Sequence, residues 1–262
     1  MSVPAAHDER YLAIVRRDRH VDGSLWFGVT TTHVFCRPSC ACRTPLPAHV
    51  EYFEDPAAAL RAGFRPCKRC RPLGPQATVA LAEQRIATPM GDMVAIGTDH
   101  GLALLEFADR PMLRTQRERV RTLFGSEIID RSFPCLDDVR RQLEEYFAGA
   151  RRGFDLPLLP LGTPFQRLVW DALLTIPSGH TTSYEALATR VGRPSSPRAV
   201  GRANGDNRMA IIIPCHRVIG SDGNLTGYGG GLWRKQALLE LEGAMAGAPQ
   251  AAIGGSRSLH ID

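Results

Sequence analysis

No stretch of this chain approaches the ~18 consecutive apolar residues that a membrane-spanning helix requires. Its first ten residues, Met-Ser-Val-Pro-Ala-Ala-His-Asp-Glu-Arg, lack the apolar centre of a secretion signal. These absences argue against membrane-spanning and exported classes, and they predict a cytoplasmic protein with no membrane partner. An acidic surplus is absent too. The 32 Lys and Arg outweigh the 27 Asp and Glu, giving a formal charge of +5 and a pI of about 9.0, a balance that favours a polyanionic partner. Hydrophobic residues make up 44% of the 262, enough to bury two or three cores.

Seven cysteines without a secretion signal point to metal or catalysis before disulfides. Four of them form two knuckles, Cys36-x3-Cys40 and Cys67-x2-Cys70, with twenty-six residues between. That spacing suits four thiolates around tetrahedral zinc, a site of net charge −2. Arg37, Arg43, Arg65, Lys68, Arg69 and Arg71 surround the knuckles and would draw a phosphate backbone close. A solvated basic face is the plain alternative for any one of them. Cys42 reads as a bystander, with a spare ligand or a redox liability as the other options, and Cys135 needs no role.

Around the knuckles, residues 8–18 read as an amphipathic helix, Trp26 onward as a strand, and Pro56 to Gly63 as a short helix with a glycine stop. Pro and Gly over 72–76 mark a linker. Residues 93–107 alternate about Asp99-His100-Gly101 as a hairpin, while 114–124 and 136–148 read as helices. Thr163-Pro-Phe-Gln166 is a capping box opening a helix that turns Phe165, Leu168, Val169, Ala172 and Leu173 inward. Thr182-Ser-Tyr-Glu185 reads as a second box. Its helix runs to Val191, turns at Gly192, and is followed by a helix from Ser196-Pro197 to about Gly205. Two short capped helices about a glycine turn read as a helix-turn-helix, its second helix carrying Arg198 and Arg202 beside small residues.

The stretch Ile211 to Gly220 is the chemical centre. Three isoleucines predict a buried strand that turns at Pro214 and places Cys215 at its end, facing a cleft. Cys beside His suggests a nucleophile and its base. In an extended segment the two side chains would point apart, so a bridging water is the natural link.

The segment Pro-Cys-His-Arg-Val resembles O6-alkylguanine-DNA alkyltransferases. The likeness extends through Thr163 to Trp170, Ile176-Pro-Ser-Gly, Thr182-Ser-Tyr184, Arg198-Ala-Val-Gly201, Asn207, Gly229-Gly230-Gly231 and Leu239-Glu-Leu-Glu-Gly243. Phe35-Cys-Arg-Pro-Ser-Cys40 and Ala62 to Cys70 are similar to the N-terminal zinc domain of the Ada type. The resemblance implies an α+β multidomain chain. A four-cysteine zinc domain (1–75) and a linker (76–85) would precede a small α/β lobe (86–160), a mostly helical catalytic lobe with a helix-turn-helix (161–245), and a disordered tail (246–262). Where the Ada pattern inserts an AraC-like domain, this chain has no room, which puts direct transcription activation in doubt.

The resemblance further implies irreversible transfer of an alkyl group from O6-alkylguanine, and O4-methylthymine, to Cys215. His216 would act through water as base, Glu242 would orient His216, Asn207 would position the loop, and Tyr184 would assist the leaving base. Arg198 would fill the stack vacated by a flipped nucleotide. Cys36 would take a methyl from a methylphosphotriester, and its conversion to a thioether would move the zinc site from −2 to −1 and tighten DNA binding. The expected cofactor is zinc, with no organic cofactor. The expected partner is damaged double-stranded DNA, met by a monomer at the nucleoid. The rival class is a zinc-dependent DNA-binding regulator or methylation sensor.

Overall fold

In the computed structural model, residues 8–73, 79–124 and 127–245 are described. The tail expected over 246–262, and residues 76–78 of the expected linker, lie outside them.

The zinc module opens with α1 (Glu9–Arg16), capped by the Asp8 carboxylate on the Arg10 N–H. Strands β1 (Trp26–Val29), β2 (Val34–Cys36), β3 (Val50–Phe53) and β4 (Arg65–Pro66) form a sheet of order β3-β1-β2-β4. Helix α2 (Pro56–Arg61), capped by Asp55, crosses it and stops at Gly63, whose φ of 78° suits glycine. The strand alternation divides the apolar residues between two faces. Phe27 pairs with Cys36 and joins the buried cluster around the cysteines, whereas Trp26, Phe35, Phe53, Leu60 and Phe64 turn the other way.

That second face explains why the modules are not separate beads. It shares one buried cluster with Leu81, Ile96, Leu104 and Val120 of the following lobe. The lobe is a sheet of order β7-β6-β5-β8, built from β5 (Leu81–Ile86), β6 (Met93–Thr98), β7 (Gly101–Phe107) and β8 (Ile128–Ile129). Helix α3 (Leu113–Phe124) and the zinc module cover one face, and α4 (Pro134–Phe147) the other. Every residue of β6 and β7 is therefore buried, and their alternation marks two cores, with neither face left to solvent. Because β5 begins at Leu81, the sheet starts inside the stretch read as linker 76–85.

In the third lobe α5 (Pro164–Leu174) carries the full Thr163–Gln166 capping box. Its inward face is Val169, Trp170 and Leu173, with Phe165 and Ala172 packed against the same core; of the five residues expected inward only Leu168, 47% exposed, is corrected. Trp170 gains burial and a hydrogen bond from Nε1 to the Ala203 carbonyl at 2.8 Å. Helices α6 (Tyr184–Arg190) and α7 (Pro197–Gly205) form the helix-turn-helix against α5. The cap of α6 is Ser183, bonded to the Ala186 N–H. Thr182 belongs instead to β9 (Thr182–Ser183), which pairs parallel with β10 (Val218–Ile219), so the second capping box is corrected by one residue. Helix α8 (Leu232–Leu241) closes the chain's described part.

The isoleucine run is buried but is not a strand. Turn bonds Ile212 N–H to Ala210 O, Ile213 N–H to Met209 O and Cys215 N–H to Ile213 O fold it tightly. Ile211 sits at φ 72°, a left-handed conformation that costs a β-branched residue on the order of 1–3 kcal/mol.

Candidate active site and metal centre

The folded turn sets Cys215 at the start of a single 3-10 turn, Cys215–Arg217, with its side chain 7% exposed. Asn207, which follows α7, donates from Nδ2 to Cys215 Sγ at 3.1 Å and to the Ile213 carbonyl at 2.8 Å. Its Oδ1 accepts from the Met209 N–H. One amide thus fixes both ends of the turn and addresses the sulfur. Burial pushes the Cys215 thiol up, and the Asn207 hydrogen bond only partly offsets this, so the sulfur needs a base.

His216 is fully buried. Its Nε2 meets Glu242 Oε1 at 3.0 Å, just past the end of α8. Glu242 is itself held by Arg217, through Nε to Oε2 and NH2 to Oε1 at 2.8 Å each, and by the Tyr146 hydroxyl at 2.7 Å. Burial alone would raise this carboxyl, yet the hydrogen bonds from His216 and Arg217 hold it down at about 2. A carboxylate accepts only, so Nε2 carries the proton. Burial also keeps His216 below the usual imidazole range, leaving a neutral ring whose Nδ1 is buried without a partner. No hydrogen bond joins His216 to Cys215 among the described residues.

Cys215 lines a small, partly enclosed pocket of about 10 Å³, together with Glu106, Arg110, Asn204, Tyr228 and the Gly227–Gly230 loop. It has room for about one water. The loop seals it closely: a Cβ at Gly229 would fall 2.3 Å from the Arg110 guanidinium, and one at Gly230 2.8 Å from the Phe107 ring. The Tyr228 hydroxyl is buried without a partner there. Tyr184, the first residue of α6, packs half-buried on the same cluster, and burial raises its phenol. Arg198 and Arg202 are exposed on α7, and neither pairs with an acid among the described residues.

Several supporting groups escaped the sequence reading: Arg217, Tyr146, Asn204 and Lys235. Lys235 is fully buried, donates to the Val218 and Thr226 carbonyls, and is lowered by burial to about 8. A signal existed, because Arg234 and Lys235 precede buried Leu238 and Leu239 by four residues each and so share the inward face of α8.

In the zinc module the structure brings the predicted ligands together. The sulfurs of Cys36, Cys40, Cys67 and Cys70 all lie within 4.8 Å of one another, with Cys40 and Cys67 at 4.0 Å. Tetrahedral zinc with Zn–S of about 2.3 Å needs S···S of about 3.8 Å, so this donor set fits the ion closely. A recess of about 400 Å³ beside it is lined by Arg19, Asp22, Arg37, Ser39, Arg69 and the edges of Cys40 and Cys70. Cys36 itself is buried. Arg43, Lys68 and Arg69 are exposed; Arg65 is half-buried in β4, and Arg37 is half-buried with Nε 3.7 Å from Asp22.

Profiles of three families match the chain. They are the DNA-binding domain of 6-O-methylguanine DNA methyltransferase over 164–244, its ribonuclease-like domain over 81–160, and the metal binding domain of Ada over 9–72. The last two leave no space between them for an AraC-like domain. A methylated-DNA–protein-cysteine methyltransferase of Methanosarcina barkeri is 45% identical over 157 residues, covering 60% of this chain and 94% of that protein. The bifunctional transcriptional activator/DNA repair enzyme Ada of Escherichia coli is 29% identical over 340 residues, 90% of this chain and 96% of that one. The crystal structure of Mycobacterium tuberculosis OGT in complex with DNA matches with a TM-score of 0.54 at 44% identity, covering 62% of this chain and 93% of that chain.

Proposed function

The chain belongs to the methylated-DNA–protein-cysteine methyltransferases, and from that premise we propose that it repairs alkylated DNA at two separate sulfur atoms, Cys215 and Cys36. It is a single-turnover S-methyltransferase with zinc as its metal and DNA as its partner. We place it in the cytoplasm at the nucleoid, acting as a monomer. The observation that carries the reading at Cys215 is the line of hydrogen bonds from Asn207 to the sulfur and from His216 through Glu242 to Arg217.

A water between Sγ and His216 Nδ1 passes the thiol proton to the imidazole, and Glu242, kept anionic, stabilises the imidazolium that forms. The thiolate attacks the alkyl carbon as its bond to guanine O6 breaks. The departing base takes a proton, for which the Tyr184 hydroxyl is the donor we assign. The thioether has no hydrolytic exit, so the protein is consumed. A base cannot react inside the stack, hence the nucleotide flips, Arg198 fills its place, and the Gly227–Gly231 loop moves to widen the small pocket and admit it.

Bound zinc would keep four sulfurs as thiolates, a −2 cluster rich enough in electrons to attack a methyl group. Arg19, Arg37 and Arg69 would neutralise the phosphotriester's surroundings in the adjoining recess. Cys36 is assigned as acceptor on the motif Phe35-Cys-Arg-Pro-Ser-Cys40; since it is buried, the Cys36–Cys40 loop has to move outward to meet the methyl.

The test is peptide mapping after reaction with a duplex carrying one O6-methylguanine. One methyl on Cys215 in the native protein, and none removed from DNA by Cys215→Ala despite retained DNA binding, is the expected result. Undiminished repair by the variant overturns the assignment.

A further inference from the structure

A recess of about 690 Å³ opens between α3 and the turn that follows α7, lined by Arg114, Thr115, Glu118, Arg119, Thr122 and Arg208. It shares no residue with the Cys215 pocket or with the recess beside the zinc cysteines. Thr115, Arg119 and Thr122 fall at i, i+4 and i+7 and so share one face of α3, while Gln116, Val120 and Phe124 form its buried face. Arg208 makes this more than a basic surface. It is 9% exposed, its NH1 donates to the Leu161 carbonyl, its Nε is buried without a partner, and no carboxylate pairs with it among the described residues. The two other arginines this deeply buried each have an acid, Glu242 for Arg217 and Asp109 for Arg234. A buried cation without a counter-charge is costly, which points to an anion arriving from outside. Arg114 and Arg119 are exposed and equally without an acid among the described residues. The nearby acids are already engaged, Glu118 by Arg121 at 2.9 Å and Asp206 by Gln166 at 2.8 Å.

We propose that this recess is a phosphate site, holding one backbone phosphate of the bound duplex beside the helix-turn-helix. This rests on the reading that the chain acts on DNA. Three guanidinium groups and two hydroxyls converge there, the donors that suit a phosphodiester, and the buried Arg208 gains its counter-charge when the phosphate enters. The place in the fold selects a backbone phosphate. Arg208 directly follows Asn207, whose amide addresses the Cys215 sulfur, and stands three residues past the end of α7, the helix that carries Arg198 and Arg202. A phosphate seated here reads no base. It fixes the register of the duplex against the segment that holds the nucleophile, and adds a salt-dependent share of affinity.

The test is the affinity of the full chain for an undamaged duplex across a salt series, with methyl transfer from an O6-methylguanine duplex followed in parallel. Replacing the two exposed arginines, Arg114→Gln with Arg119→Gln, leaves the buried Arg208 and the fold in place. The slope of log affinity against log salt should become shallower by about 0.9 or more, the counterion release of one phosphate. Arg152→Gln, an exposed arginine outside the recess, should keep the native slope. Duplexes carrying a single neutral methylphosphonate then locate the contact: at one backbone position the substitution should weaken the native chain about threefold or more and leave the double variant unaffected. An unchanged slope in the double variant, or the same loss of slope in Arg152→Gln, overturns the site. Inorganic phosphate at constant ionic strength is the remaining arm. If it raises the melting temperature of the native chain but not of the double variant, while the duplex slope is the same in both, the recess takes a free anion and the duplex assignment is overturned. Absence of methyl transfer from the duplex to Cys215 overturns the repair reading instead.

Discussion

Cys215 is a single sulfur with one amide donor, buried under a glycine loop, while the zinc cysteines sit four together beside a recess ringed by arginines. At Cys215, burial holds the thiol protonated, and reactivity is reached only when a precisely seated imidazole removes the proton. At the knuckles, the chain would rely on the metal to keep its sulfurs anionic, with flanking cations offsetting the charge towards DNA. Isolation makes the first site depend on a hydrogen-bond line. Clustering makes the second independent of it, so the two should fail separately.

The largest break expected is Glu242→Gln. A neutral amide lacks the charge to stabilise the imidazolium, and Arg217 is left buried without its counter-charge; transfer to Cys215 should slow about 10²-fold or more, and stability should fall by about 3–5 kcal/mol. Methyl transfer to the zinc module should persist in molecules that remain folded. The pH behaviour carries a sign. Glu242 has a folded pKa of about 2 against 4.5 unperturbed, so its contribution is complete above 4.5 and lost as pH falls towards 2. Acid denaturation curves should show that limb in the native protein and lose it in the variant. Equal curves would mean that the carboxylate does not hold the site together.

A middle effect is expected from Arg198→Ala. Only duplex repair requires a flipped base, so the rate on O6-methylguanine duplex should drop about tenfold or more, for a few kcal/mol of flipping cost. Reaction with free O6-benzylguanine should be unaffected. Equal losses on both substrates would remove the finger role and return Arg198 to a plain phosphate contact.

The smallest effect concerns the joint between the two regions. Arg167 of α5 donates to the Ala62 carbonyl and to His33 Nδ1 at 2.8 Å, tying the helical lobe to the zinc module. Arg167→Ala should cost about 1–2 kcal/mol without stopping either transfer. Burial and the Arg167 charge keep the His33 pKa below 6.5. His33 therefore opposes folding only once protonated: full stability holds above 6.5 and erodes below it, less so in the variant. A melting temperature with no pH trend between native and variant protein would make this contact incidental.

What was legible in the sequence was local. The capping box of Thr163 and Gln166, the knuckle spacings and the Pro-Cys-His-Arg segment each carry their meaning within a few residues. What was hidden depended on partners far along the chain. Ile211 to Ile213 has the composition of a strand, but the run is trapped between the Asn207 amide and the β7 edge, where Leu105 donates to the Arg208 carbonyl and accepts from the Ala210 N–H, and it coils as turns. Leu168 faces outward while Trp170, two residues on, is buried and reaches the Ala203 carbonyl, 33 residues away. The docking of the zinc module was invisible for the same reason, since His33 and Arg167 lie 134 residues apart. Tyr146 and Arg217 likewise acquire their roles only when Glu242 arrives from beyond α8.

The central claim, two independent acceptors in one chain, is tested most directly by intact-mass measurement after excess DNA carrying both O6-methylguanine and a methylphosphotriester. The account predicts two methyl groups on the native protein, one in each region, and one each on Cys215→Ala and Cys36→Ala at the remaining site. A single methyl on the native protein, or loss of both when either cysteine is replaced, would contradict it.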